Sequence, residues 1–416
     1  MTTSTTEAFE DRLRMVLDSV CRVPSERVPL RDGNGRVLAS DVIAQIDSPR
    51  FDNSAVDGYA ISERDLLRLD QGAELDLRCV GVSRAGEPYP GVLTPGTTVQ
   101  TMTGAALANG TVGIVMQEDT ERTGDYVTVR SDARAGHIRR AGEDYRAGRV
   151  ILPAGTRLTP PAIAVAAGAG EAELLVYVRP RVAILATGDE LAAPGEALNV
   201  GEIYESNTFA LRGLLGTLPV EVVAVSRVGD DEDVLRDVLE RLLGSCDVLV
   251  TTGGVSVGAF DRVRSVLGAL GVDEVFWRAA IKPGKPVWFG TRKNPAVAVF
   301  GLPGNPMSAI VTAALFIGPF LRASVGLTPV ERLQAFLAAP LRSNNERTEF
   351  VASRLTLDAG RIMATPIEGR SSHLGLPLVD AQGWVVLPAR ADFEAGSLVE
   401  AVPAPWATLE YPGEAQ

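Results

Sequence analysis

The run Thr251-Thr252-Gly253-Gly254-Val255-Ser256-Val257-Gly258-Ala259-Phe260-Asp261 has the make-up of an anion-binding loop. Its glycines let backbone N–H groups approach a ligand, and it leads into a helix whose first turn offers unpaired N–H groups. Asp261 falls at the N-cap or first turn, where it either caps the helix or faces a ligand. Without a ligand the same run is only a tight turn. Arg278-Ala279-Ala280-Ile281-Lys282-Pro283-Gly284-Lys285-Pro286 sets two lysines on a proline-stiffened loop. They are point charges suited to phosphate, or else members of a solvated charged turn. Gly301-Leu302-Pro303-Gly304-Asn305-Pro306 and Thr187-Gly188-Asp189-Glu190 are two further candidate loops, and both also read as capping or surface turns. In the N-terminal half, Phe51-Asp52-Asn53-Ser54-Ala55-Val56-Asp57-Gly58-Tyr59-Ala60 packs polar side chains beside apolar ones. Arg139-Arg140-Ala141-Gly142-Glu143-Asp144 mixes charges around a glycine. Taken singly, these two read as an Asx-turn network and a surface ion pair.

The elements around these loops decide whether they meet. Val182–Ala186 reads as a buried strand, Asn207–Leu215 as a helix, Val220–Val225 as a strand and Asp231–Leu243 as a helix. Val248–Thr252 is a strand and Arg262–Leu270 a helix. Strands follow at 274–281, 286–290 and 296–300, then a helix at 306–321. This alternation predicts a doubly wound, mainly parallel α/β sheet, whose ligands bind at the carboxyl ends of its strands. All four loops then fall on one edge. Boundaries near Arg179-Pro180 and Pro329 separate this unit from β-rich flanks. Phe9, Leu13, Val16, Leu17 and Val20 predict an opening amphipathic helix. Short extended pieces follow around the turn Asp32-Gly33-Asn34-Gly35. Residues 51–145 predict a small β domain with a helix at 62–69 and a hairpin at Glu121–Val129. A small-residue helix is expected at 160–169. Beyond Pro329, short alternating runs such as Trp384–Leu387 predict a small β domain.

Composition narrows the function classes. The 416 residues call for two to four domains. With 40 basic against 52 acidic residues the formal charge is −12, which argues against non-specific nucleic-acid binding. A few local cations and N–H groups still suffice to hold an anion. Cys21, Cys79 and Cys246 are scattered, and with His137 and His373 as the only histidines no thiolate or imidazole metal site is expected. No apolar run reaches membrane-spanning length in this reading. Residues 1–11 lack the basic-then-apolar pattern of a signal peptide, so a cytoplasmic protein is expected.

Together, FDNSAVDGYA (51–60), RRAGEDYRAG (139–148), TGDEL (187–191), TTGGVSVGAFD (251–261), IKPGKP (281–286) and GLPGNP (301–306) resemble, in order, the motifs of the MoeA family, which includes the E-domain of gephyrin. The resemblance implies α/β plus β architecture in four parts. A helix at 7–26 packs on the α/β domain, and an elongated linker domain comprises 27–50 and 146–178. A lid-like β domain spans 51–145, an α/β molybdopterin-binding domain 179–327, and a β-barrel-like domain 328–404. It implies a homodimer, with transient contacts to the molybdopterin adenylyltransferase and to molybdoenzymes, and neither nucleic acid nor membrane as partner. The implied reaction is Mg²⁺-dependent insertion of molybdate into adenylyl-molybdopterin with release of AMP.

By resemblance the catalytic set is Asp57, Asp144, Glu190, Asp261 and Lys282. The substrate-binding set is Thr103, Gly253, Gly254, Ser256, Gly258, Arg278, Lys285, Asn305 and Ser371, and the metal set is Asp261, Glu190 and Asp230. The residue types suit the task. N–H groups and lysines take phosphates, carboxylates take Mg²⁺, and Lys282, Arg278 and Ser371 can take molybdate. Three positions depart from the family pattern. Arg278 stands where a lysine is familiar, and Thr103-Gly104-Ala105 lacks a proline. Ala352 stands where an arginine is usual, with Arg354 two residues on along the same strand face as an approximate substitute. A paralogue that binds pterin or oxyanion, or acts as a scaffold without turnover, is the competing reading, and a different hydrolase on the same α/β domain is a third.

Overall fold

The structure, a computed structural model, describes residues 8–253, 262–328 and 330–407. The central unit is a six-stranded sheet. Its elements are β1 (Arg181–Thr187), α1 (Asn207–Leu215), β2 (Glu221–Val228), α2 (Glu232–Leu243), β3 (Val248–Thr252), α3 (Arg262–Ala269) and β4 (Asp273–Trp277). They continue with the short β5 (Ile281–Lys282), which lies outside this sheet, then β6 (Trp288–Lys293), β7 (Ala296–Leu302) and α4 (Pro306–Thr312). The sheet order is β2-β1-β3-β7-β6-β4. The first four strands are parallel; β6 is antiparallel to both neighbours, β7 and β4, so β4 runs in the common direction. Side chains alternate between two cores, as strands buried on both faces require. Val182, Ile184, Val250 and Phe300 face α1 and α4, whereas Ala183, Leu185, Leu249 and Val299 face α2 and α3. Asp231 caps α2 by accepting the N–H groups of Asp233 at 3.1 Å and Val234 at 3.0 Å, a cap that contributes about 1 kcal/mol.

The N-terminal half is built by pairings distant in sequence. Ser25–Pro29 runs antiparallel to Glu173–Tyr177, and Val42–Ile43 to Val150–Leu152. Between them residues 58–136 form a seven-stranded sheet of their own. At the other end, five strands between Leu333 and Pro403 close into a ring, because Thr348–Asp358 pairs with both Arg361–Pro366 and Gly383–Leu387. The helix Phe9–Asp18 joins the units. The Phe9 ring lies 5.5 Å from that of Phe316 and 5.1 Å from that of Phe350.

Several elements differ from the sequence expectations. The strand expected at 274–281 ends at Trp277, because Arg278 takes the left-handed backbone (φ 77°) and breaks the extended run. Ile281 and Lys282 then leave the sheet to pair in parallel with Thr348 and Glu349. The helix expected at 306–321 continues to Ser324 through a π turn at 313–317. Pro319 lacks an N–H, so the regular ladder cannot run through it. This same helix corrects the expectation that no apolar run reaches spanning length. Pro306–Ser324 is long and apolar enough, but 78% of it is buried inside the protein as a core helix.

All three cysteines are free. Cys246 is buried and its thiol is pushed up to about 12, first by burial and then by Asp247, while Cys21 is exposed. Because the thiolate is the reactive form, iodoacetamide at pH 8 should label Cys21 within minutes. Cys246 should stay unmodified until denaturant unfolds the α/β unit. Peptide mass mapping that finds Cys246 labelled in the native protein would contradict this packing.

Candidate active site

The carboxyl edge of the parallel strands carries the site. In register, Thr252 lies beside Ala186 on one side and Leu302 on the other, so the loops after β1, β3 and β7 emerge together. They line a cavity of about 660 Å³. Gly253 (φ 88°) sits where a Cβ would collide with the Thr187 carbonyl oxygen, so only glycine lets the two loops meet. At Gly188 a Cβ would collide with the Glu190 carboxylate, which folds back over the glycine. Asp189 accepts the N–H of Asp230 at 2.8 Å and holds the loop after β2 against the loop after β1. Glu190 and Asp230 thereby share the cavity wall.

Asn207, at the start of α1, cross-links two of these loops. Its amide donates to Thr252 Oγ1 at 2.9 Å and to the Gly304 carbonyl at 2.7 Å. Sequence reasoning passed over it, since an Asn at a helix start reads as an ordinary cap. Buried Glu205 accepts the N–H of Thr208 at 2.8 Å and also lines the cavity.

A second cleft of about 460 Å³ opens beside the first and shares Pro286, Pro303, Asn305 and His373 with it. It gathers Lys282, Lys285, Arg347 and Arg370, and among the described residues its lining contains no acidic side chain. Ser371 and Ser372 complete the polar wall, and Asn305 Nδ2 donates to Ser372 Oγ at 3.1 Å. The arginines are held by neutral acceptors. Arg347 Nη1 donates to the Ile281 carbonyl at 3.1 Å, and Arg370 Nη1 to the Arg342 carbonyl at 2.9 Å. Lys282 Nζ donates to buried Glu349 Oε2 at 3.1 Å. Four cations, with no acid among the described lining residues, give a wall whose charge suits a multiply charged anion.

Of the sequence-predicted residues, Gly253, Glu190, Asp230, Asn305, Lys282, Lys285 and Ser371 converge on these two cavities. Arg278 does not. It lines neither, its guanidinium lies 3.9 Å from the Trp277 ring centroid, and its carbonyl accepts Arg12 Nε at 3.0 Å. Arg354 does not stand in for an arginine at 352 either. It is half-exposed and pairs with Asp380 at 3.4 Å, while Ala352 lines a small recess beside Lys282 and Glu349. Arg347 and Arg370 bring the guanidinium groups instead. Their signal in the sequence was only their proximity to Glu349 and Ser371. Gly254, Ser256, Gly258 and Asp261 lie outside the described residues.

Asp57, Thr103 and Asp144 line neither cavity. Asp57 Oδ1 accepts the Thr103 N–H at 2.7 Å and its hydroxyl at 2.8 Å, and Asp144 Oδ2 accepts the Ser48 hydroxyl at 3.4 Å.

Comparison with known proteins matches the chain to three consecutive family models. These are the MoeA N-terminal region (domains I and II) over residues 7–170, a probable molybdopterin-binding domain over 183–323, and the MoeA C-terminal region (domain IV) over 334–404. Molybdopterin molybdenumtransferase 2 of Mycobacterium tuberculosis is 36% identical over 391 residues, covering 92% of this chain and 95% of that protein. The chain belongs to the MoeA family of molybdopterin molybdenumtransferases. The molybdopterin molybdenumtransferase of Haemophilus influenzae is 34% identical over 386 residues, covering 91% of this chain and 94% of that one. The crystal structure of the molybdopterin biosynthesis moeA protein from Pyrococcus horikoshii superimposes with a TM-score of 0.81 at 29% identity, covering 95% of this chain and 99% of that one. This MoeA-family chain is accordingly a transferase of molybdenum cofactor biosynthesis.

Both Thr103 hydrogen bonds hold the Asp57 carboxyl below the usual carboxylate range, the backbone N–H more strongly than the hydroxyl. The depressed value means that the paired, ionised form persists as pH falls and is lost only below the ordinary aspartate titration. In a pH series, ¹³C-detected titration of the Asp57 carboxyl should report a midpoint below that of a free aspartate. Thr103→Val, which deletes the hydroxyl and keeps the N–H, should move the midpoint part of the way back. An unmoved midpoint would mean that the hydroxyl bond is not formed in solution.

Proposed function

We propose that this chain inserts molybdate into adenylyl-molybdopterin and releases AMP, with the pterin nucleotide in the larger cavity and the oxyanion in the cation-lined cleft beside it. The observation that carries this reading is the cluster of Lys282, Lys285, Arg347 and Arg370 in one cleft wall, opening off the cavity at the sheet's carboxyl edge. A tetrahedral dianion fits a wall of two ammonium groups, two guanidinium forks and the Ser371 hydroxyl. Gly253 lets the loops after β1 and β3 meet at the cavity edge, where the pterin nucleotide is read to bind. Asn207 and Asp189 keep the loops after β1, β2, β3 and β7 in fixed relation, so that the two ligands are held side by side.

Mg²⁺ fits the donor set of the larger cavity. Glu190 and Asp230 offer hard oxygen ligands on one wall, and Mg²⁺ commonly takes only one or two carboxylates and fills its shell with water and phosphate oxygens. Among the described residues no group of three metal-ligating side chains exists, and Asp261, the third member of the metal set in this reading, lies outside them. When bound, the ion neutralises charge on the pyrophosphate being split.

The lid-like pair Asp57 and Thr103, and separately Asp144, line neither cavity of their own chain. Our reading assigns them to the site of a two-fold partner in a homodimer, where an isologous pair creates two equivalent composite clefts. Cytoplasmic localisation is part of the same reading.

Mixing the inactive variants Asp57→Ala and Lys282→Ala and allowing subunit exchange tests both points. With adenylyl-molybdopterin, Mg²⁺ and molybdate supplied, AMP release should return to about a quarter of the wild-type rate at equal mixing, because half the dimers are mixed and each has one intact cleft. No recovery despite proven exchange would place both residues in one chain's site. No AMP release from the wild-type protein would favour the binding-protein reading.

A further inference from the structure

The cleft with four cations and, among the described residues, no acid in its wall nevertheless has a carboxylate next to it. Glu349 is 4% exposed, lies on the barrel strand Thr348–Asp358, and is the register partner of Lys282. Its Oε2 accepts Lys282 Nζ at 3.1 Å, and its Oε1 accepts the Ser343 hydroxyl. Both oxygens are thus engaged by side chains, and Glu349 lines the small recess beside the cleft rather than the cleft itself. Among the described residues it is the one acid paired with a cation of the cleft, because Arg347 and Arg370 rest on carbonyls and an amide. Lys282 remains one-third exposed, with its stem on the cleft wall.

A carboxylate so placed has two opposed effects. It fixes a flexible ammonium at one point, which costs the bound anion less ordering. It also subtracts one charge from the potential the anion feels, which weakens binding. An enzyme that must give up its oxyanion to a second substrate gains nothing from holding it tightly in the ground state. We propose that Glu349 is a positioning residue that holds Lys282 at the rim of the cleft and deliberately moderates its grip on the oxyanion, so that removing the negative charge tightens oxyanion binding. This inference rests on the reading of the cleft as the oxyanion site and adds to it the residue that sets its affinity.

Glu349→Gln keeps the shape and the acceptor oxygen and removes the charge. Molybdate binding to the full-length protein is measured by calorimetry, with thermal melting recorded in parallel. Loss of the charge should lower the molybdate Kd by about threefold to tenfold, the scale of one unit charge acting across a few ångströms of partly wet protein. In AMP release with saturating pterin nucleotide, KM for molybdate should fall, and kcat should fall with it. A purely structural role would instead weaken binding together with stability. An unchanged or higher Kd in a folded Glu349→Gln protein overturns the proposal.

Should that variant fail to fold, Lys282→Met and the pair Lys282→Met/Glu349→Gln carry the test. The pair removes both charges and leaves no buried ion unpaired. It should bind molybdate markedly tighter than Lys282→Met alone, and a pair as weak as the single variant overturns the proposal. Lys285→Ala serves as the separate check on the cleft itself. If it leaves molybdate binding unaltered, the oxyanion site lies elsewhere and the underlying reading fails, whatever the outcome at Glu349.

Discussion

The organisation of the site follows from the position of β1. The strand has β2 on one side and β3 on the other, so the chain leaves its carboxyl edge in two directions and a crevice opens between them. The crevice is narrow at one point, where Gly253 approaches the Thr187 carbonyl so closely that any side chain would collide. That approach sets the spacing of the loops after β1 and β3. The cross-links from Asn207 to Thr252 and Gly304, and from Asp189 to Asp230, then fix the loops after β7 and β2 to the same frame. The wall of the larger cavity is thus rigid because four loop starts are tied to one another.

Charge is organised locally and against the global sign. The chain carries a formal −12, yet among the described residues its cation-lined cleft contains no acid. The reason lies in how the arginines are held. A guanidinium fixed by a backbone carbonyl keeps its full charge for a ligand, whereas one fixed by a carboxylate does not. Arg347 and Arg370 rest on the Ile281 and Arg342 carbonyls. Surface arginines that serve structure are treated oppositely. Arg342 pairs with Asp392 and Glu394, and Arg181 with Asp247. The distribution of partners therefore separates the arginines of the cleft from the arginines that brace the surface.

Much of the α/β unit was legible because its strands are buried on both faces and its helices are amphipathic. Asn207–Leu215 and Val248–Thr252 have the ends expected from the residues alone. The loops were legible for a related reason, since glycine and proline are forced where backbones approach closely. What the sequence hid were consequences of tertiary pairing. Nothing local announces that Arg278 turns left-handed and stacks on Trp277, which removes it from the cleft and frees Ile281 and Lys282 to join another sheet. Arg347 and Arg370 were hidden likewise. Their role comes from barrel strands and loops that meet the α/β unit only in the folded chain. Strand alternation alone put Arg354 on the face of Ala352 but could not show that its guanidinium pairs with Asp380 and lines neither cavity.

The cleft is therefore a property of the junction between two units rather than of either one. Lys282 and Lys285 come from the α/β unit, Arg347 and Arg370 from the barrel region, and the pairing of Lys282 with Glu349 is the covalently unlinked seam between them. A two-residue parallel pairing is too short to hold such a seam alone. The remaining adhesion is apolar. Phe350 and Ala352 on the barrel strand share one core with Met307, Phe316 and Phe320 of the long helix, and Phe9 of the N-terminal helix touches the rings of both Phe316 and Phe350. An aromatic residue far from Lys282 in sequence, Phe9, thus helps hold the cleft's two halves in register. Because that core lies behind the cleft, the cations can stand close together in a fixed array, their mutual repulsion offset by packing that none of them makes.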